Sequence, residues 1–235
     1  VKATLAILAL DEIDALPSVL PKIDRAWVDE IIVVDGGSTD GTIEWCEAHG
    51  FRVLRQSRRG YGAGMRELIS IAQGEIIIEF MADGNCKPET IPLLVAKMHD
   101  GYDLVVASRY MHGARSFDDT PITRFGNWIF TRMINVLFRA HFEDAMMGYR
   151  AYRKSKFETM EMDEDGLTFP TQGSIQFTRY GYRVAEIPSD EPRRIGGQRK
   201  AKNIGTGLEL VRMIGKEAYR ARISRSRASR PSPRT

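Results

Sequence analysis

Three carboxylate clusters in this chain directly follow apolar runs: Asp11-Glu12 after "ATLAILAL", Asp35 in "EIIVVDGGSTDGT", and Asp83 in "EFMADGNC". At the mouth of a parallel sheet, such carboxylates accept hydrogen bonds from a base or ribose and can hold a divalent cation that bridges to phosphates. Asp35 sits immediately at the end of its run, beside Gly36. Asp40 suits the cap of the following helix equally well. The two cysteines, Cys46 and Cys86, show no paired-cysteine or cysteine-histidine spacing, which argues against a zinc site.

The elements that must position these groups alternate. Continuous apolar runs of buried-strand length occur at "ATLAILAL", "EIIVVD", "FRVLRQ", "GEIIIEFMAD" and "DLVVAS". Helix-like segments lie between them at Asp14 to Ile23, Asp40 to His49, Gly62 to Gln73 and Pro88 to Asp100. Strand, helix, strand, repeated, predicts an α/β fold with a mainly parallel twisted sheet flanked by helices. After Ser108 the rhythm gives way to a loop, a long apolar helix over Phe125 to Phe138, a short strand at Tyr149 to Arg153 and a helix after Thr168. A last strand in "YRVAEIP" and a helix from about Gly205 complete the series. No internal repeat is present.

With 235 residues, 43% hydrophobic and 28% charged, the chain has the composition of one globular domain, which we place at residues 1–223. The net charge of +3 conceals an asymmetry. Arg220, Arg222, Arg225, Arg227, Arg230 and Arg234 cluster at the carboxyl end, and without those six the rest carries about −3. From Ser224 the composition is Arg, Ser and Pro, which predicts a basic disordered tail over 224–235 and suits contact with an anionic membrane surface. No apolar stretch approaches the roughly 20 residues that span a bilayer, and the amino terminus opens on a strand pattern. A cytoplasmic protein, peripheral at the inner face of the cell membrane, is the expectation, with no nucleic-acid partner.

Four segments carry a resemblance. "EIIVVDGGSTDGT" is similar to the second-strand signature of glycosyltransferase family 2, "RGYGAGMRELISIAQGEIIIEFMADGNCKPE" to the segment leading to its metal motif, and "EDAMMGYRAYRK" to its acceptor-side motif. "GYRVAEIPSDEPRRIGGQRK" resembles the carboxyl-terminal element of the branch containing dolichol-phosphate mannose synthase and polyprenyl-phosphate glucosyltransferases. Together they cover the chain to about Lys202 in the family's order. The resemblance implies a GT-A-type, Rossmann-like fold. It also implies an inverting transfer of a sugar from a GDP- or UDP-sugar donor to a polyprenyl phosphate. Asp11, Glu12 and Asp35 would line the nucleoside pocket with Asp35 facing the base, and Gly60, Gly62 and Gly64 would form the glycine-rich turn near the donor. Those glycines also fit a tight turn that needs glycine for backbone reasons alone. Arg109 and Arg124 would surround the acceptor phosphate, while Arg194 and Lys200 would close over the donor diphosphate, where a planar guanidinium fork suits phosphate oxygens.

The metal motif departs from the family pattern, which is Asp-X-Asp often followed by Gln. Met81-Ala82-Asp83-Gly84-Asn85 keeps one aspartate. Asp83 and Asn85 are the expected ligands of a weakly held Mg2+ or Mn2+, completed by the donor diphosphate. A phosphate monoester has its second pKa near about 6 and is already a charged nucleophile at neutral pH, whereas a hydroxyl acceptor needs a base. Asp144 is the candidate for either role, as base or as positioning group. A hydroxyl acceptor on a soluble metabolite or glycan, and a nucleotide-sugar-binding pseudoenzyme, are the alternatives. For the membrane, the apolar helix carrying Trp128 to Phe138, with Arg132 and Arg139, is the expected docking element.

Overall fold

A computed structural model describes residues 1–196 and 203–228. Seven strands form one sheet, β1 (Ala3–Ala9), β2 (Glu30–Asp35), β3 (Arg52–Arg55), β4 (Ile76–Met81), β5 (Leu104–Ser108), β6 (Arg150–Arg153) and β7 (Val184–Pro188), in the order β3-β2-β1-β4-β6-β5-β7. The helices are α1 (Leu16–Val19), α2 (Thr42–Ala48), α3 (Tyr61–Ile71), α4 (Ile91–His99), α5 (Pro121–Phe138), α6 (Lys154–Phe157), α7 (Phe169–Arg179) and α8 (Asn203–Ala228). Pro17 and Pro21 break the first expected helix into α1 and a following 3-10 turn at Leu20–Lys22. Except at the edge strand β3, the apolar runs are buried on both faces, with Leu5, Ile7, Ile32, Ile76, Ile77, Ile78 and Val105 fully inaccessible, which is why they read as continuous rather than alternating.

The sheet is mainly parallel, as expected, with one exception. β6 lies between β4 and β5 and runs antiparallel to both, while β1, β2, β3, β4 and the β5–β7 pair are parallel. The route explains its direction. The chain leaves the carboxyl end of β5, makes its excursion through α5, and re-enters the sheet from the same end, so Arg150 at the start of β6 pairs with Glu79 near the end of β4. No crossover returns it to the opposite edge first.

α8 departs from the expected tail boundary, because the helix runs through Ser224 to Ala228; residues 229–235 lie outside the described residues. Leu210, Met213, Ile214 and Glu217 form its buried stripe at helical spacing. The fully buried Glu217 carboxylate accepts from Gln172 Nε2 at 3.0 Å, Gln176 Nε2 at 2.8 Å and Arg220 Nη1 at 2.9 Å, and pairs with Arg179. Lys216 and Arg220 reach Asp163 at 2.9 and 2.7 Å, and the adjoining Asp165 carbonyl accepts from the Gly62 amide at 2.8 Å. Thus α8 is tied through the 161–165 loop to the amino end of α3. Glu217→Ala leaves buried amides and Arg179 without their acceptor and is expected to lower the unfolding free energy by about 3 kcal/mol in urea denaturation. A loss below about 1 kcal/mol, the scale of a surface pair, contradicts this anchoring.

Candidate active site

Register places the strand ends side by side: Ala9 pairs with Asp35 across β1 and β2, and Leu8 with Met81 across β1 and β4. The segments that follow, Leu10–Glu12, Gly36–Thr39 and Ala82–Asn85, therefore share one rim, as the switch point of an open α/β sheet requires. They line a cleft of about 890 Å³ that continues past Gly60 and Tyr61 to α5 and α8.

The rim is held by its own carboxylates. Asp11 adopts a left-handed backbone (φ 53°), a conformation Asp tolerates; its Oδ1 accepts from the Thr39 amide at 2.8 Å and its amide donates to Ser38 Oγ at 2.9 Å. Asp35 is 1% exposed. Its Oδ1 accepts from the amides of Gly37 and Ser38 at 2.8 and 2.9 Å, and its Oδ2 from the Ser38 hydroxyl at 2.5 Å. Asp35 thus organises the loop from behind, and Gly36 and Gly37, not Asp35, belong to the cleft wall among the described residues. The expectation that it faces the base is corrected accordingly. Asp40 lies one residue ahead of Gly41, the N-cap of α2, so it is not the cap itself; its Oδ1 accepts from the Thr42 amide at 3.0 Å and its Oδ2 from the Ile13 amide at 3.0 Å.

Backbone packing accounts for the glycine turn. A Cβ at Gly62 would collide with the Glu164 carbonyl and the Phe169 side chain, and Gly60 has φ +125° with the Asp165 carbonyl against it. Gly60 and Tyr61 nevertheless reach the cleft wall. Tyr61 donates to the fully buried Glu79 at 2.6 Å, and burial raises the Glu79 carboxyl above its ordinary value against the opposing pull of Arg150. This polar layer fixes the floor of the cleft.

At the metal motif, Asp83 is 5% exposed and pairs through Oδ2 with Arg194 Nη2 at 2.6 Å. Burial lifts its carboxyl above the usual range, with Arg194 opposing the shift. Arg194 Nη1 also faces Glu12 Oε1 at 3.7 Å, so the structure brings Asp83, Glu12 and Arg194 together. The donor set does not fit the expected Mg2+ or Mn2+. One Asp83 oxygen is held by Arg194 and the other accepts from the Asn85 amide at 3.1 Å; Asn85 Oδ1 faces the Cys86 thiol at 3.5 Å, and Met81 offers a soft thioether. A hard cation prefers about six oxygen ligands, and among the described residues no group of three or more His, Cys, Asp and Glu is placed to hold one. Cys46 and Cys86 are both free and buried, and burial pushes the Cys86 thiol well up.

On the other side of the cleft, Arg109 is 8% exposed and grips the fully buried Asp144 with both arms, Nε to Oδ2 at 2.7 Å and Nη2 to Oδ1 at 2.9 Å, while Nη1 meets Glu191 at 3.3 Å. Both Asp144 oxygens are engaged, so the structure corrects its reading as a base: it positions Arg109. Arg109 is shared with a second cavity of about 670 Å³ that also includes the exposed Arg115 and Arg124. Arg124 makes no ion pair among the described residues and lies 5.9 Å from the Tyr110 ring. Lys200 lies outside the described residues. Arg59, Arg115 and Glu191 were missed in the sequence. Glu191 had only a weak signal there, as one of two acids beside the two arginines of "SDEPRR".

The geometry defines an α/β protein with a nucleotide-type cleft at its strand ends, and the comparisons say which. The sequence profile of glycosyl transferase family 2 matches residues 14–160, and the chain belongs to that family. It is a glycosyltransferase. It is 30% identical over 216 residues to a dolichyl-phosphate hexose transferase of Haloferax volcanii, covering 91% of this chain and 92% of the relative. The glycosyltransferase AglJ of the same organism is 30% identical over 77% of this chain, which spans 62% of that relative's length. An undecaprenyl-phosphate mannosyltransferase of Micrococcus luteus is 26% identical over 86% of this chain and 88% of its own. Glucosyl-3-phosphoglycerate synthase of Mycobacterium tuberculosis, solved with Mn2+, uridine diphosphate and phosphoglyceric acid, superposes with a TM-score of 0.71 at 20% identity, covering 92% of this chain and 78% of that one. The GT-A fold and the polyprenyl-phosphate branch are thereby borne out.

Proposed function

We propose that the chain moves a hexose, with inversion, from a nucleoside diphosphate sugar to the phosphate of a polyprenyl-type lipid at an anionic membrane surface. The observation that carries this is the two-sided cleft: polar and glycine-rich at Asp11, Gly36 and Gly37, apolar at Ile122, Phe130, Met146, Leu167 and Leu210 where it passes between α5 and α8. A nucleotide suits the first end and a lipid chain the second.

In the transfer, an oxygen of the lipid phosphate attacks the anomeric carbon, the bond from that carbon to the donor diphosphate breaks, and its electron pair stays on the departing β-phosphate oxygen. A phosphate dianion needs no proton removed, consistent with Asp144 being engaged by Arg109. Arg124 and Arg115, beside Arg109, supply positive charge for the incoming phosphate. Arg194 and the exposed Arg59, both in the cleft wall, do so for the leaving diphosphate. The relatives named for dolichyl and undecaprenyl phosphates support the acceptor class. Among the described residues no helix is long and apolar enough to cross a membrane, so contact would be peripheral, through α5.

Incubation with UDP- and GDP-hexoses and either a short polyprenyl phosphate or a soluble hydroxyl acceptor tests this; transfer only to the hydroxyl compound overturns it. Gly126, in the cleft wall on α5, has open space where a side chain would project. Gly126→Trp is expected to raise the KM for the lipid acceptor roughly tenfold or more while leaving nucleotide affinity unchanged. An unaltered lipid KM removes the acceptor from this groove.

A further inference from the structure

We propose that Arg194 is the built-in counter-cation of the donor diphosphate, standing where a divalent ion would otherwise be needed, so that this chain binds its donor without metal. The inference rests on reading the cleft as a nucleoside diphosphate site and adds how that site meets the charge.

Three observations place Arg194 deliberately. Its Nη2 is 2.6 Å from Asp83 Oδ2 and its Nη1 is 3.7 Å from Glu12 Oε1, so one guanidinium sits between the carboxylate that remains at the metal motif and the one that follows β1. The next residue fixes it there: the Ile195 amide donates to the Asp83 carbonyl at 2.9 Å, and the Ile195 side chain covers Gly84, where a Cβ would come within 2.7 Å of it. Gly84 also has φ +86°, so the turn is shaped to receive that side chain. Finally, Arg194 Nε is buried with no hydrogen-bond partner among the described residues. A buried, unused N–H is costly and calls for an acceptor, which a phosphate oxygen beside Asp83 would supply.

Met81 completes the argument. It lines the cleft where the family pattern carries a carboxylate, and a thioether gives a hard cation nothing to bind. Losing one negative group while keeping Arg194 changes the charge balance of the site toward an anionic ligand without help from a divalent ion. Arg59, exposed on the cleft wall, adds a second cation on the glycine-turn side.

Titration calorimetry of the full chain with UDP and GDP, in EDTA and in millimolar MgCl2 or MnCl2, tests this. For the nucleotide that binds, the dissociation constant should change by less than about threefold between EDTA and metal. Arg194→Gln should weaken binding in EDTA roughly tenfold or more, and Arg194→Lys, which keeps the charge but loses the fork, should fall between. Adding Met81→Asp to Arg194→Gln should recover binding only when Mn2+ or Mg2+ is present. Wild-type binding that disappears in EDTA and returns with metal overturns the proposal, as does wild-type affinity in a folded Arg194→Gln variant. Absence of binding by either nucleotide under every condition instead overturns the donor-site reading itself.

Discussion

Asp144→Ala is expected to lower the unfolding free energy by about 3 kcal/mol or more, because it leaves the Arg109 guanidinium buried with only Glu191 beside it. Breaking a buried pair from one side removes the attraction but keeps the desolvation penalty of the surviving charge. Asp144→Asn should be milder, since an amide oxygen still accepts from one arm. Asp144→Ala combined with Arg109→Leu should recover part of the loss, as neither charge of that pair then remains, while Glu191 loses Arg109 and keeps its bond from the Ser116 hydroxyl. Urea denaturation of these proteins, with Arg109→Leu alone completing the cycle, measures the coupling. A general base would behave differently: Asp144→Asn would keep full stability and lose turnover. That pattern would return Asp144 to the chemistry and withdraw its assignment as the anchor of Arg109.

The same pair shows where sequence reading stops. Arg109 stood out through the family resemblance and Asp144 through its motif, but their partnership spans 35 residues and that of Arg109 with Glu191 spans 82. Residue type tells which charges are available; only the sheet order brings the carboxyl ends of β5 and β7 and the approach to β6 to one place. The apolar runs of β1, β2, β4 and β5 were legible because strands buried on both faces have no polar alternation to disguise them. The direction of β6 was not, since "RAYR" pairs equally well either way and the route through α5 decides.

Asp35 and Gly62 illustrate a second limit. Each was legible as important, and each works through backbone. Asp35 directs both oxygens to the loop that carries Gly36 and Gly37 into the cleft, and Gly62 is glycine because the 164–165 backbone lies against it. A strand-end carboxylate looks the same in sequence whether it faces the ligand or braces the loop that does. Asp83 did reach the cleft, but its partner Arg194 arrives from beyond β7, in a stretch where arginines are too frequent for any one to be singled out by composition.

For the membrane contact, Phe125→Ser with Trp128→Ser is expected to reduce partitioning onto anionic vesicles roughly 30-fold, at low and high salt alike. α5 turns Asn127, Thr131, Ile134 and Phe138 into the protein and leaves Ile122, Phe125, Trp128, Ile129 and Val136 outside, exposed by 72, 62, 57, 46 and 78%. The face is one helical stripe that also carries the exposed Arg132, with the exposed Arg124 and Arg139 near its two ends, and it borders the cleft through Ile122 and Gly126. Apolar rings beside cations match the boundary between acyl chains and anionic headgroups, and a lipid drawn from that layer would meet the cleft directly. Burying the exposed part of each ring contributes about 1 kcal/mol, so losing both amounts to about 2 kcal/mol and the roughly 30-fold change. This term is insensitive to salt. Arg132→Gln with Arg139→Gln should instead weaken binding at low salt and have little effect at high salt, because charge attraction to the surface is screened within about 10 Å. Co-sedimentation with vesicles across a salt series separates the two. If the wild-type chain fails to sediment with anionic vesicles even at low salt, α5 does not dock on a bilayer, and a soluble acceptor becomes the better reading of the cleft.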